Sequence, residues 1–283
     1  MSATKTECLA IVGVGLIGGS IALAARRSGQ FAPIIGVGRD PATLEKCRRA
    51  GIIDEGTTDV AAAAKRADVI VFCTPVDQIP WHIVLAGNNC KPRALLTDAG
   101  STKDLIVSVV GQQLPNDVQF VGAHPLAGSE KRGAEHARAD LFDNRLTVIT
   151  PGDNTPADAV ERATQFWESL GCRTAQLSPK RHDEIVAMTS HLPHLVAAAL
   201  AGILPADFHP FVASGYRDTT RIAAGDPGLW SAILDQNSGQ ILKALGELEQ
   251  RLNQFKQALA AGDNEMLVRQ LTEAKKVRDD LGS

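Results

Sequence analysis

Two hydrophobic periods alternate along the first two thirds of the chain, and only one of them continues to the end. Up to about residue 177, short runs rich in Val and Ile are each followed by a turn and then by an amphipathic segment. The pattern predicts strands near residues 9–14, 34–37, 69–74, 94–98, 118–123 and 146–150, then a helix over 157–170 and a strand over 173–177. Runs as continuously apolar as VIVFC need cover on both faces, which a parallel sheet between helical layers provides. Alternation of this kind implies right-handed crossovers and a doubly wound sheet. From about Lys180 only helical periodicity remains, so the boundary falls near Ser178 and Pro179. Two domains are expected, 1–179 and an all-helical 180–283. In the last third, Ile241, Leu245, Leu248, Leu252, Phe255 and Leu259 repeat at alternating steps of four and three, the spacing of a helix–helix seam. Such a seam serves equally for burial within the second domain or for a subunit interface.

Length agrees with two domains, at 283 residues. Charge removes one function class. Lys and Arg number 29 against 32 Asp and Glu, a formal net charge of -3, whereas a bulk nucleic-acid binder carries a basic excess. The five cysteines, Cys8, Cys47, Cys73, Cys90 and Cys172, are scattered and form no CxxC. They support neither a disulfide framework nor a zinc site, and a reducing cytoplasm is expected. The uncharged stretch LAIVGVGLIGGSIALAA at 9–25 is shorter than the roughly 20 residues of a membrane span and holds four glycines. Lys5 before it is offset by Glu7, unlike the basic start of a secretion signal. Neither a membrane nor a nucleic acid is expected as a partner.

The glycines in that stretch have a better explanation. Gly13-Val14-Gly15-Leu16-Ile17-Gly18 is GxGxxG directly after a strand and at the opening of a helix. Gly13 permits the tight turn, Gly15 lets the backbone reach a pyrophosphate, and Gly18 lets the helix pack on the strand. The phosphates then sit at the positive end of the helix. With a second strand at the expected distance, the motif predicts a Rossmann-type dinucleotide-binding domain. An acidic residue about 20 positions on selects NAD, and an arginine selects NADP. Here the sequence reads Gly38-Arg39-Asp40-Pro41. A small residue makes room for a 2′-phosphate and Arg39 pairs with it, while Asp40 falls late and caps the helix opening at Pro41. NADP is therefore favoured over NAD.

Four polar clusters carry candidate chemistry. Asp98-Ala-Gly-Ser101-Thr102-Lys103 follows a strand, at the end that faces the ligand crevice in open sheets. Ser101 serves there as a ligand contact or as a helix N-cap. His124, in GAHPLAGSE, also ends a strand; Pro125 holds its backbone extended, and its ordinary pKa near ~6.5 suits a general base. In Ser190-His191-Leu192-Pro193-His194 the two histidines lie three apart on one helix face. No third ligand stands at matching spacing, so anion or substrate binding is favoured over metal, and no metal is expected. Pro193 is expected to kink the helix and leave a carbonyl free. In Gly215-Tyr216-Arg217-Asp218-Thr219-Thr220-Arg221 the two arginines, four apart, share a helix face and suit a carboxylate. The alternative is an exposed surface with Asp218 paired to Arg221.

Together GVGLIGGS, CTPV, DAGSTK, HPLAGSE, SHLPH, GYRDTTRIA and DPGLW resemble the prephenate/arogenate dehydrogenase family of tyrosine biosynthesis, over nearly the whole chain. The resemblance implies a nucleotide-binding domain followed by a helical dimerisation domain, and a homodimer through the C-terminal helices. It makes His124 the catalytic histidine that bonds the ring hydroxyl of the substrate, and Ser101 the serine that orients it and the nicotinamide. By the same similarity His194 and Arg221 bind substrate, Arg221 through a carboxylate, and Ser129 and Glu130 line the substrate pocket. The cofactor positions are Gly13, Gly15, Leu16, Ile17, Gly18 and Arg39, with Thr74 and Pro75 of CTPV. The implied reaction is oxidative decarboxylation of prephenate to 4-hydroxyphenylpyruvate, with hydride transfer to NADP or NAD. Arogenate, or both substrates, is the first alternative; the HPLAGSEK pattern looks more like members that accept prephenate. No appended chorismate mutase or ACT-type module is expected. One rival is a hydroxyacid dehydrogenase or imine reductase on the same layout, which needs a lysine at the heart of the helical domain. Another is a non-catalytic NADP-sensing protein, which needs the glycine loop but not His124, Ser101, His194 and Arg221 together.

Overall fold

A computed structural model describes residues 6–115, 117–128 and 131–282. The chain forms two compact units, Met1–Asn237 and Ser238–Ser283. An eight-stranded sheet organises the first. Its strands are β1 (Glu7–Val12), β2 (Phe31–Val37), β3 (Glu55–Thr57), β4 (Val69–Phe72), β5 (Leu95–Asp98), β6 (Gln119–Pro125), β7 (Leu146–Thr150) and β8 (Arg173–Gln176). Their order is β3-β2-β1-β4-β5-β6-β7-β8. The doubly wound expectation holds: β1 to β6 are parallel, with the reversal of winding between β1 and β4 that opens a crevice at the carboxyl ends.

Between the strands run α1 (Leu16–Ser28), α2 (Pro41–Arg49), α3 (Val60–Ala64), α4 (Ile79–Gly87), α5 (Asp104–Gln113) and α6 (Ala157–Ser169). They bury two apolar clusters. One joins the α1 and α6 faces through Phe31, Phe142, Phe166 and Trp167, and the other gathers Ile70, Phe72, Ile79, Ile83 and Leu96. A strand with both faces covered this way reads as one apolar run, as VIVFC does. The sequence pattern misses only β3, whose Glu-Gly-Thr has no apolar alternation to read.

The one antiparallel pairing positions a key side chain. β5 pairs with β6 only as far as Val121, whereas β7 runs antiparallel to β6 and pairs from Gly122 to Pro125. His124, opposite Val148, is thereby carried past the end of β5 into the crevice.

Helices follow from Pro179, where the strand signal stops: α7 (Pro179–Val186), α8 (Leu192–Gly202), α9 (Ser214–Thr220) and α10 (Pro227–Gln236). α7 and α8 form one continuous helix through a π-turn over Ala187–His191. Pro193 sits directly after that turn, and the wider turn takes up the missing N–H, so the expected kink takes this form. By length and composition this helix passes the test for a membrane span, with a mean hydropathy of 1.4. Its buried side, however, carries His182, Asp183, His191 and His194. α9 ends at Thr220, and Arg221 opens a separate 3-10 turn. Arg217 and Arg221 thus do not share one helix, contrary to expectation.

The second unit is an antiparallel pair, α11 (Ser238–Ala261) and α12 (Asn264–Asp280). Arg251 of α11 reaches Glu273 of α12 at 2.9 Å. Ile241 is buried, but Leu252 and Leu259 of the same seam are 56% and 67% exposed. Packing therefore leaves the Leu252 and Leu259 end of that seam uncovered.

Candidate active site

The crevice begins at the glycine turn. Gly13 takes φ +99°, and a Cβ there would lie 2.9 Å from the Cys73 carbonyl and the Thr74 nitrogen. A Cβ on Gly18 would lie 2.1 Å from the Gly13 oxygen. Both positions admit glycine alone. Gly15 differs. It caps α1 with extended backbone and no side-chain cap, and a Cβ there would meet nothing within 4 Å. Its open side faces a cavity of about 680 Å³, also lined by Leu16 and Ile17. An uncapped helix start beside open space is a cradle for an anionic group.

Thr74, Pro75, Ser101 and His124 line the same cavity. Ser101 does not cap a helix: the N-cap of α5 is Lys103. Beneath the cavity lies a fully buried ion pair that the sequence reading passed over. Lys103 Nζ bonds Asp98 and also donates to the Ala123 carbonyl at 2.9 Å. Asp98 in turn accepts from the N–H groups of Ala123 at 3.0 Å and Gly100 at 2.9 Å. The pair thus pins the residue before His124 to the ends of β5 and β6. Burial pushes the Lys103 ammonium below its ordinary pKa, against the opposing pull of Asp98.

His124 is held from the helical side. Its Nδ1 lies 2.8 Å from His182 Nε2, and His182 Nδ1 lies 2.7 Å from Asp183 Oδ1. Asp183 also accepts from the N–H groups of Lys103 at 2.8 Å and Asp104 at 2.9 Å, the start of α5, which has no side-chain cap of its own. A carboxylate there satisfies two orphan donors and meets the positive end of the helix. Burial drives the His124 pKa well below the usual histidine value, helped by His182, Lys103 and His191. His124 is neutral at pH 7.

The SHLPH histidines part company in the structure. His191 Nδ1 lies 3.1 Å from Asn237 Nδ2, which also donates to the Asp183 carbonyl at 2.8 Å. Burial lowers the His191 pKa to about 4, with Asp183 pulling the other way. The unfolded chain therefore takes up this proton first, near pH ~6.5, so stability is full above that value and falls as pH drops toward 4. Urea unfolding at pH 7 and pH 4.5 is expected to show a loss of about 2 kcal/mol from this residue. His194, 6% exposed, stacks on Trp230 with ring centroids 3.5 Å apart, and its Nδ1 has no hydrogen-bond partner among the described residues. Burial lowers its pKa too.

Two arginines lie elsewhere. Arg221 is exposed, in the 3-10 turn packed on α8, and is absent from the cavity lining. It makes no ion pair with Asp218 among the described residues. Arg39 lines a neighbouring cavity with Thr58, Asp59 and Trp81. Ser129 and Glu130 lie outside the described residues. The cations that line the cavity itself are Lys131 and Arg132, the latter paired with Asp226 at 2.7 Å. His182, Asp183 and Arg132 escaped the sequence reading. The first two stand together as His-Asp in a helix with nothing local to mark them; only their three-dimensional approach to His124 does so.

A doubly wound sheet, an uncapped glycine turn and a neutral imidazole at one cavity define a dehydrogenase of the nucleotide-binding class. Residues 21–176 match the prephenate dehydrogenase nucleotide-binding domain, and residues 178–273 match the prephenate dehydrogenase dimerization domain. The chain belongs to the prephenate dehydrogenase family. It is 34% identical to prephenate dehydrogenase of Bacillus subtilis over 97% of this chain and 76% of that one. It is 31% identical to cyclohexadienyl dehydrogenase of Zymomonas mobilis over 97% and 96% of the two chains. A crystal structure of prephenate dehydrogenase from A. aeolicus, in complex with hydroxyphenyl propionate and NAD+, superposes with a TM-score of 0.92 at 32% identity. It covers 99% of this chain and 100% of that one.

Proposed function

We propose that this protein is a prephenate dehydrogenase acting in tyrosine biosynthesis, with His124 as the general base. The observation that carries the reading is the neutral, half-buried imidazole facing the same cavity as the open glycine turn. An oxidised nicotinamide dinucleotide, when bound, supplies the hydride acceptor. Gly13, Gly15, Leu16, Ile17 and Gly18 hold its pyrophosphate, with Thr74 and Pro75 beside it. Ser101 orients His124 and the nicotinamide. His124 accepts the ring hydroxyl proton as hydride leaves the carbinol carbon. Loss of carbon dioxide then makes the ring aromatic and the reaction irreversible. His194, whose buried Nδ1 has no described partner, binds substrate, and the substrate roles of Arg221, Ser129 and Glu130 rest on the family resemblance alone.

NADP is the preferred form in this reading. Asp40, which follows β2, accepts from Ala42 and Thr43 N–H as the cap of α2, leaving Arg39 to meet a 2′-phosphate. Residues 1–179 bind the dinucleotide, and 180–283 complete the substrate site and join two copies through the seam on which Leu252 and Leu259 lie exposed. Five free cysteines suit a cytoplasmic setting.

Absorbance of the reduced nicotinamide, with prephenate and arogenate each crossed against NADP+ and NAD+, tests this. Turnover of prephenate is expected, with NADP+ favoured about 10- to 100-fold in kcat/KM, and Arg39→Ala removing that preference, the worth of one charged hydrogen-bonded pair. Turnover of arogenate alone makes the protein an arogenate dehydrogenase, and turnover of neither removes the reading.

A further inference from the structure

We infer that His182 and Asp183 are positioning residues that fix the tautomer of His124 and form a closed relay, which parks the substrate's hydroxyl proton and returns it. The inference rests on the dehydrogenase reading above.

The hydrogen bonds allow one assignment of protons. Asp183 Oδ1 and Oδ2 each accept a backbone N–H, from Lys103 and Asp104, so both oxygens act as acceptors and the group is a carboxylate. His182 Nδ1, 2.7 Å from Oδ1, must then carry hydrogen. In a neutral ring this leaves His182 Nε2 as an acceptor, and the hydrogen between the two rings belongs to His124 Nδ1. The lone pair of His124 is therefore on Nε2. A base with its lone pair on Nδ1 would face His182 instead, so without this chain the ring has no reason to hold the reactive tautomer.

Among the described residues the relay also has no way out. His182 is 1% exposed and Asp183 2%, and the carboxylate's partners beyond His182 are backbone amides, which cannot pass a proton on. A dead end suits the proposed reaction. Prephenate loses one hydride and one carbon dioxide and gives a phenol, so its hydroxyl proton is not released overall. His124 Nε2 takes that proton, and Nδ1 yields its own to His182 Nε2, leaving an imidazolium against the Asp183 carboxylate. When carbon dioxide departs with its bond breaking toward the ring, the oxygen becomes a phenolate. The two transfers then reverse, and the phenol forms.

His124 is faced by Lys103 from the start of α5, by His182 and Asp183 from α7, and by His191 from the π-turn. Lys131, Arg132 and Asp226 line the same cavity.

The test is His182→Gln, whose amide oxygen still accepts from His124 Nδ1 but cannot be protonated. Dinucleotide affinity and KM are expected to stay within about twofold, and kcat to fall about tenfold or more. Full turnover overturns the relay. A second measurement needs no turnover: imidazole 15N shifts of the ligand-free wild type should place hydrogen on Nδ1 of both His124 and His182. Hydrogen on His124 Nε2 overturns the assignment. If the wild type oxidises neither prephenate nor arogenate, the functional reading fails while these shifts still decide the tautomers.

Discussion

His124→Asn is expected to bind dinucleotide within about twofold of wild type and to lose roughly 10²- to 10⁴-fold in kcat, the span of a positioned general base. That corresponds to about 3–5 kcal/mol of barrier. Asparagine places an amide N–H near the position of Nδ1, so the bond to His182 Nε2 survives and the strand end keeps its place. What disappears is the basic Nε2. The neighbouring charge matters here as much as the ring. Lys103 lies in the same buried pocket and disfavours an imidazolium, so His124 rests neutral and ready to accept a proton. Stopped-flow or steady-state rates beside a fluorescence titration of the nucleotide separate binding from chemistry. A variant within tenfold of wild-type kcat would show that His124 is not the base.

Lys103→Met is expected to lower folding stability by about 3–5 kcal/mol, because it leaves the Asp98 carboxylate buried without its cation. In a unit of this size the loss lowers the midpoint of thermal unfolding by roughly 10 °C. The exposed Arg66–Glu55 pair, with side chains 51% and 45% accessible, is the internal comparison: Glu55→Gln should cost less than about 1 kcal/mol. Urea unfolding of both variants beside wild type measures the contrast. Equal losses in the two would mean that burial does not set the worth of the Lys103 pair. The same change removes the donor on the Ala123 carbonyl, so residual activity should fall with stability rather than after it.

The fold was legible because its signals are local and repeated. Apolar runs at β1, β4 and β5 mark strands covered on both faces, and the glycine spacing after β1 marks the turn. β3 was not legible, since its three residues have no alternation and hold their place by pairing with β2 and packing on α2. At the site, the sequence led to Gly15, Leu16, Ile17, Thr74, Pro75, Ser101 and His124, which the fold brings to one cavity. All of these sit in turns, at strand ends or at the opening of α1, where a residue's position along the chain fixes where it points. His182 and Asp183 were missed because a histidine and an aspartate inside an amphipathic helix read as ordinary polar positions. Their meaning comes from α7 packing against the start of α5. Arg221 shows the opposite case. A spacing of four presumes an unbroken helix, and the chain changes to a 3-10 turn at that residue.

The bond from Asp183 to the first amides of α5 ties two stretches of chain that the change of pattern at residue 179 separates. Modules cut at that point would not be interchangeable. A nucleotide-binding half grafted onto a foreign helical half keeps its glycine turn whatever it receives. It keeps a correctly protonated base only if the donor brings its own histidine and aspartate in register.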